Sequence, residues 1–277
     1  MEVRLTVNPY AGKGNGRKVG RKINQLAIKM GLVWRNVGYR YRVLVGGDGT
    51  LHRAINEPRE TDIPWIICSA GIGNDFARAL GIPEDPEKAL RLSLLGKPRE
   101  VDLIEVNGEL ATGVASFGFD AKVNQRALWL KKKYWFLPVK LMYRVALLWE
   151  SFFHWECFQV EVETQGTVLR ERVVMVAVAN ISPYGRIFNI APGADPSDGL
   201  LDVCVIRQAS RWRVLKNLFR VIRGTHIALP ETQMFKTTSL SIRSKHPLPC
   251  QMDGEVISAK REYKISVQQR ALKVLAP

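Results

Sequence analysis

Along its first hundred residues the chain repeats one pattern: a short apolar run, a glycine-rich turn, then apolar positions at helical spacing. Val3, Leu5 and Val7 alternate with polar neighbours, as a strand does. The turn Asn8-Pro9-Tyr10-Ala11-Gly12-Lys13-Gly14-Asn15-Gly16 follows, and a helical pattern covers residues 17 to 30. Val43 to Val45 leads into Gly46-Gly47-Asp48-Gly49-Thr50, with Thr50 placed to cap a helix continuing through Ile55. Residues 63 to 68 lead into Ser69-Ala70-Gly71-Ile72-Gly73-Asn74-Asp75, where Asn74 or Asp75 can cap a helix that stops near Gly81, with Pro83 beyond. Wholly apolar strands followed by helices predict a parallel sheet covered on both faces.

From about Val101 the period changes. Residues 110–119, 158–164, 168–180, 200–206, 239–243 and 263–267 read as strands separated by turns, which predicts an antiparallel β domain. Within it, residues 125–155 form a helical, aromatic and basic insert. The expected division is therefore an open α/β domain over residues 1–100 and a β domain over residues 101–277, with the C-terminal residues packing back on the first. No internal repeat or low-complexity linker is visible.

Composition alters this picture in one respect. With 46% hydrophobic and 24% charged residues the chain is ordinary for a folded protein, but 41 Lys and Arg against 26 Asp and Glu leave a formal charge of +15. Such an excess draws a protein towards polyanions: nucleic acid, nucleotides or an anionic membrane. Cys68, Cys157, Cys204 and Cys250 lie far apart without a C-x-x-C pair, which argues against a zinc knuckle or disulfide framework and for buried thiols in a reducing compartment. The chain runs from Met1 straight into a strand pattern that leaves no room for a signal peptide, so a cytoplasmic location is expected. The most apolar helical stretch, residues 134–155, carries Lys140, Arg144 and Glu150, charges too costly for a membrane span.

Three glycine-rich turns at the carboxyl ends of three strands gather along one edge of an open α/β sheet, where ligands bind. Glycine lets backbone N–H groups approach phosphate oxygens, and the helix after Gly49-Thr50 adds the positive end of its dipole. Lys13 and Arg17 could supply mobile charges. One such turn is weak evidence; three in register with three strands are much stronger. Asp48 would repel phosphate directly, so its functional reading is through Mg²⁺ or a hydroxyl proton. The plainer alternative is an Asp that holds its own turn.

These residues carry a resemblance. Val45-Gly46-Gly47-Asp48-Gly49-Thr50-Leu51, with Asn8-Pro9-x-x-Gly12 before it and Gly71-Ile72-Gly73-Asn74-Asp75-Phe76-Ala77-Arg78 after it, resembles the diacylglycerol kinase catalytic family, which includes bacterial soluble lipid kinases and sphingosine kinases. Gly-Gly-Asp-Gly alone is shared with NAD kinases and phosphofructokinases; the Gly-Asn-Asp-Phe-Ala-Arg segment points to the lipid branch. The resemblance continues through Asp198-Gly199-Leu200-Leu201-Asp202 and Met252-Asp253-Gly254-Glu255. It implies a nucleotide-binding α/β domain followed by an antiparallel β-sandwich, with the active site in the cleft between them, and transfer of the ATP γ-phosphate to diacylglycerol or a related lipid alcohol. It implies ATP contacts from Asn8, Pro9, Tyr10, Ala11, Gly12, Gly46, Gly47, Asp48, Gly49, Thr50, Leu51, Gly71, Ile72, Gly73 and Asn74. Asp253 or Glu255 would lie at the catalytic position, where a carboxylate accepts the lipid hydroxyl's proton. Asp195, Asp198 and the carbonyl of Leu200 match the place where bacterial relatives hold Mg²⁺ through oxygen ligands. Without the resemblance, Asp253-Gly254 reads as a hairpin turn and Asp195–Asp198 as a solvated acidic turn.

The pattern departs from the family in places. Gly71-Ile72 stands where the family has Gly-Thr, His52-Arg53 where it has Asn-Glu, and the interval 34–43 is too short for the strand and helix found there in relatives. Two other readings stay open: an NAD kinase-like enzyme with a soluble substrate, and a non-catalytic protein that binds nucleotide or lipid. The insert Leu128-Trp129-Leu130-Lys131-Lys132-Lys133-Tyr134-Trp135-Phe136-Leu137 mixes lysines with large aromatics, as a membrane interface does; the alternative is a helix with its aromatic face in the core. The expected partner is a lipid substrate at an anionic membrane surface, with peripheral attachment to the inner face. No nucleic acid is expected, and a homodimer is compatible.

Overall fold

The computed structural model describes residues 1–58, 62–182, 185 and 188–277. The chain divides into two compact units: Met1–Leu103 with Pro196–Gly199 and Gln268–Pro277, and Ile104–Asp195 with Leu200–Val267.

In the first unit, β1 (Glu2–Val7), α1 (Ala11–Lys29), β2 (Val33–Trp34), β3 (Tyr41–Gly46), α2 (Asp48–Asn56), β4 (Trp65–Ser69), α3 (Asp75–Ala79) and α4 (Pro86–Leu95) follow one another, and β5 (Lys97–Val106) leaves it. The strands form a parallel sheet in the order β2-β1-β3-β4, with Leu5 beside Val43 and Val45 beside Cys68. Val274, near the end of the chain, pairs in parallel with Trp65. Every residue of β4 is buried, as a strand covered on both faces must be. Helix α1 turns Val19, Ile23, Leu26 and Ala27, spaced i, i+4, i+7 and i+8, into the core. Only residues 35–40 join β2 to β3.

Two details differ from the sequence reading. Gly47, not Thr50, is the N-cap of α2, and Thr50 lies in the first turn with its hydroxyl engaged elsewhere. Asn74 is the N-cap of α3 as expected, but in a left-handed conformation, and its side chain bonds Gly71 rather than the helix. Helix α4, absent from the periodicity reading, begins with Asp85 accepting from the Lys88 N–H at 2.7 Å and Pro86 in its first turn.

The second unit contains β6 (Glu109–Ala111), β7 (Val114–Gly118), α5 (Phe119–Lys133), α6 (Val139–Phe153), β8 (Phe158–Thr164), β9 (Thr167–Ala179), β10 (Leu201–Arg207), α7 (Arg211–Arg223), β11 (Thr232–Thr237), β12 (Ser239–Met252) and most of β13 (Glu255–Ala276). Its strands are antiparallel in the order β11-β10-β9-β7-β12-β13. The long strands β9 and β12 each pair with β7 at one end and β8 at the other, so the sheet folds over a core that includes Phe117, Val160, Val176, Val203, Ile242 and Tyr263. Alternation is clear in β8, where Phe158, Val160 and Val162 point inward. Pro138 separates the two helices of the insert. Trp129, Trp135 and Phe136 are exposed, so the core alternative for them fails.

Among the described residues no helix is long and apolar enough to cross a membrane. All four cysteines are free, and burial pushes the thiols of Cys68, Cys204 and Cys250 up to about 12.

Candidate functional site

The first unit brings its three glycine turns together through direct bonds. The Asn8 side chain accepts from the Tyr10 N–H at 3.1 Å and donates to the Thr50 hydroxyl at 2.8 Å, tying the turn after β1 to the turn after β3. Gly12 has φ +58°, and a Cβ there would lie 2.2 Å from the Ala70 carbonyl oxygen, so this backbone can approach the third turn only without a side chain. Gly47 and Gly71 touch backbone to backbone: a Cβ on Gly71 would sit 2.5 Å from the Gly47 Cα. The Asn74 side chain both accepts from and donates to the Gly71 backbone at 3.1 Å, which closes the third turn on itself.

Asp48 opens α2 and accepts from the Phe76 N–H at 3.4 Å, so it also bridges the second and third turns. Gly73 lies against both Asp48 Oδ2 and Asp75 Oδ2, so the two carboxylates converge there. Arg78 holds Asp75 through a bond at 3.0 Å and donates to the Gly73 carbonyl. Pro9, Ala11, Gly46, Gly49 and Leu51 belong to the same turns; Ala11, Gly46 and Leu51 are buried, while Tyr10 and Ile72 are exposed. His52 is buried, and Arg53 folds back to donate to the Gly49 carbonyl at 3.2 Å.

Asp195 and Asp198 are exposed on the loop before β10, with Leu200 half-buried beside it. Buried Asp102 shapes this loop within the first unit: its carboxylate accepts from the Gly199 N–H at 2.8 Å and the Arg270 N–H at 2.7 Å, and its own N–H donates to the Pro196 carbonyl. Among the described residues no three His, Cys, Asp or Glu side chains form a metal-binding group, so a cation here would depend on carbonyl oxygens and water.

The Met252–Glu255 turn belongs to the second unit, and its two carboxylates differ sharply. Asp253, with φ +50°, accepts four bonds: from the Thr112 N–H at 2.7 Å, the Thr112 hydroxyl at 3.1 Å, the Gly113 N–H at 2.8 Å and the Val114 N–H at 3.2 Å. It clamps the start of β7. Glu255 is exposed, and among the described residues its carboxylate has no hydrogen-bond or ion-pair partner. The turn between them is held by residues that sequence reasoning missed. Buried Gln251 accepts from the Gly254 N–H at 2.7 Å and donates to Ser116 at 2.8 Å, and Ser116 donates to Asp120 at 2.6 Å. Buried Asn124 donates to the Gly254 carbonyl at 2.7 Å and accepts from the Tyr143 hydroxyl at 2.7 Å.

Three glycine turns bonded to one another lie on the parallel α/β unit, and the antiparallel β unit carries an exposed carboxylate on a braced hairpin. Comparison with known proteins gives the family. Residues 34–106 match the diacylglycerol kinase catalytic domain, and residues 113–276 match the YegS C-terminal NAD kinase beta sandwich-like domain. The chain belongs to this family of lipid kinases. It is 28% identical over 242 residues to a diacylglycerol kinase of Mycobacterium tuberculosis, covering 85% of this chain and 76% of that one. It is 30% identical over 249 residues to a "Probable lipid kinase YegS-like" of Pseudomonas savastanoi pv. phaseolicola, covering 87% and 77%. The crystal structure of a diacylglycerol kinase from Bacillus anthracis str. Sterne superposes with a TM-score of 0.73 at 20% identity, over 100% of this chain and 97% of that one, a likeness of fold.

Proposed function

We propose that the protein transfers the γ-phosphate of ATP to the hydroxyl of diacylglycerol or a closely related lipid alcohol. The observation that carries this reading is the convergence of the three glycine turns, locked by the Asn8 to Thr50 bond and the Gly47 to Gly71 contact, beside Asp48 at the start of α2. Backbone N–H groups of such turns and the α2 dipole suit a polyphosphate. Asp48 and Asp75, converging at Gly73, fit a Mg²⁺ ion that arrives with the nucleotide, since Mg²⁺ takes one or two carboxylates together with phosphate oxygens and water. A second ion on the loop with Asp195, Asp198 and Leu200 would serve structure, because Asp102 already sets that loop's shape.

The proton acceptor in this reading is Glu255. Its carboxylate is exposed and unengaged, whereas the four bonds to Asp253 leave that residue a structural clamp. In the reaction the lipid oxygen forms its bond to the γ-phosphorus, the bond from that phosphorus to the bridging oxygen breaks, ADP leaves, and the hydroxyl proton passes to Glu255. Gln251 and Asn124 fix the hairpin that carries it. The diacylglycerol assignment is supported by the names of relatives in the 28% identity range. The experiment is ADP release from Mg·ATP with a panel of lipid alcohols in mixed micelles and with NAD. Turnover with a diacylglycerol and none with NAD is expected; turnover with NAD alone overturns the reading.

A further inference from the structure

Helix α6 carries two apolar stripes. The inner one, Met142 and Ala146 with Ser151, is buried against the second unit together with Glu150, which binds Arg126 at 2.7 Å. The outer one, Leu141, Val145, Leu148, Trp149, Phe152 and Phe153, follows i, i+4, i+7, i+8, i+11 and i+12, and every member is exposed, Trp149 by 45% and Phe153 by 68%. A water-facing helix carries polar residues on that face. Singly exposed apolar side chains are ordinary, whereas a contiguous stripe of this length marks an interaction surface.

The stripe continues onto α7. That helix buries no residue completely; Val214 and Val221 rest on the core, and Trp212 (59% exposed) and Phe219 (50%) face outward. The Phe152 and Trp212 rings meet edge to face at 5.5 Å, and Arg211 donates to the Phe152 carbonyl while lying over both rings. On the other side, Arg126 lies over Trp129 of α5 and Trp149 of α6, which joins the insert's lysine turn to the same surface. The cations of α7 have one sign throughout, because the helix contains five Lys and Arg and no Asp or Glu. Arg213 is taken by Glu231, whose carboxylate also attracts Arg220, while among the described residues Lys216 and Arg223 form no ion pair.

We propose that the outer faces of α6 and α7 form the surface by which this protein docks on an anionic bilayer, with the aromatic side chains at headgroup depth and Lys216, Arg220 and Arg223 on lipid phosphates. This rests on, and deepens, the reading that the substrate is a lipid. Trp and Phe beside cations match the chemistry of the headgroup region, and neither α6 nor α7 is long and apolar enough to span, so both lie in the plane of the surface. A second copy of the chain fits less well, since a two-fold contact through this face would set its unpaired cations against their own copies.

The test is sedimentation with vesicles of phosphatidylcholine containing 30 mol% phosphatidylglycerol, without ATP, read beside tryptophan emission. The parent should bind with a blue shift. Trp149→Ser with Phe153→Ser should weaken binding by about tenfold or more, and Lys216→Gln with Arg223→Gln should weaken it about three- to tenfold and flatten its salt dependence. These side chains are exposed, so an unchanged melting temperature certifies the fold; should the serine pair lower it, the Gln pair alone decides. Parent-like binding of the variants, or a parent that is a dimer through this face and indifferent to vesicles, overturns the proposal. Failure of the kinase reading looks different: docking through this face would persist while no lipid is phosphorylated. In detergent-dispersed substrate the docking variants should keep the parent's rate.

Discussion

Replacing Asp253 and Glu255 one at a time separates a clamp from a base. Asp253→Asn keeps the size and tolerates the left-handed φ of +50°, so the backbone is not the source of any effect. The new amide, however, turns one NH₂ towards donors: either the Thr112 N–H and hydroxyl, or the Gly113 and Val114 N–H groups, lose their acceptor. Two hydrogen bonds to a charged group are removed, each worth about 1.5–3 kcal/mol when the acceptor is ionised. Allowing for relaxation, the expected destabilisation is about 2–4 kcal/mol, which at about 2–4 °C per kcal/mol lowers the melting temperature by roughly 5–15 °C. Glu255→Gln removes no bond and should shift stability by less than about 0.5 kcal/mol, while losing roughly 100- to 10,000-fold in turnover with ATP affinity retained. Thermal melts, ATP calorimetry and turnover on both variants decide the matter. A stable Asp253→Asn variant with abolished turnover, beside an active Glu255→Gln, would refute the assignment.

Three further outcomes follow from single contacts. Gly71→Ala places a methyl group 2.5 Å from the Gly47 Cα, and separating those turns should weaken ATP binding about tenfold or more in calorimetry at a stability cost of about 1–3 kcal/mol; parent affinity would mean that ATP does not use this junction. Asn124→Ala frees the Gly254 carbonyl and should lower kcat about 10- to 100-fold with the KM for ATP unchanged, whereas a change in KM alone would deny it a role in positioning the hairpin. His226 is buried, which lowers its pKa below 6.5 against the opposing effect of its bond to the Ile190 carbonyl. The unfolded chain therefore takes up this proton first, so the stability from neutral His226 is present above about pH 6.5 and lost as pH falls through the folded value. Melting temperature should drop from pH 7.5 to 5.5, and less in His226→Gln; an equal drop would place the titration elsewhere.

The parallel unit was legible because its information is local. Apolar strands and glycine turns each announce themselves within ten residues, and the Asn8, Gly12, Gly47 and Gly71 positions lie where the turns meet, whereas the cap of α2 and the whole of α4 were not read. The hairpin's chemistry was not legible, because the distinction between Asp253 and Glu255 depends on Thr112, Gly113 and Val114, 139 to 141 residues away. Asn124 and Gln251 carry no motif for the same reason. Helix α7 was legible but passed over: its apolar residues and its cations fall on opposite sides between a Ser210 N-cap and a Gly224 C-cap, the ordinary marks of an amphipathic helix.

The most direct measurement of the central claim is phase partition of the product after incubation with [γ-³²P]ATP, Mg²⁺ and diacylglycerol in mixed micelles. Label should move into the organic phase as a phosphorylated lipid, at a rate that Glu255→Gln reduces by roughly 100-fold or more. Label that stays in the aqueous phase with a protein shown by calorimetry to bind ATP would contradict the account.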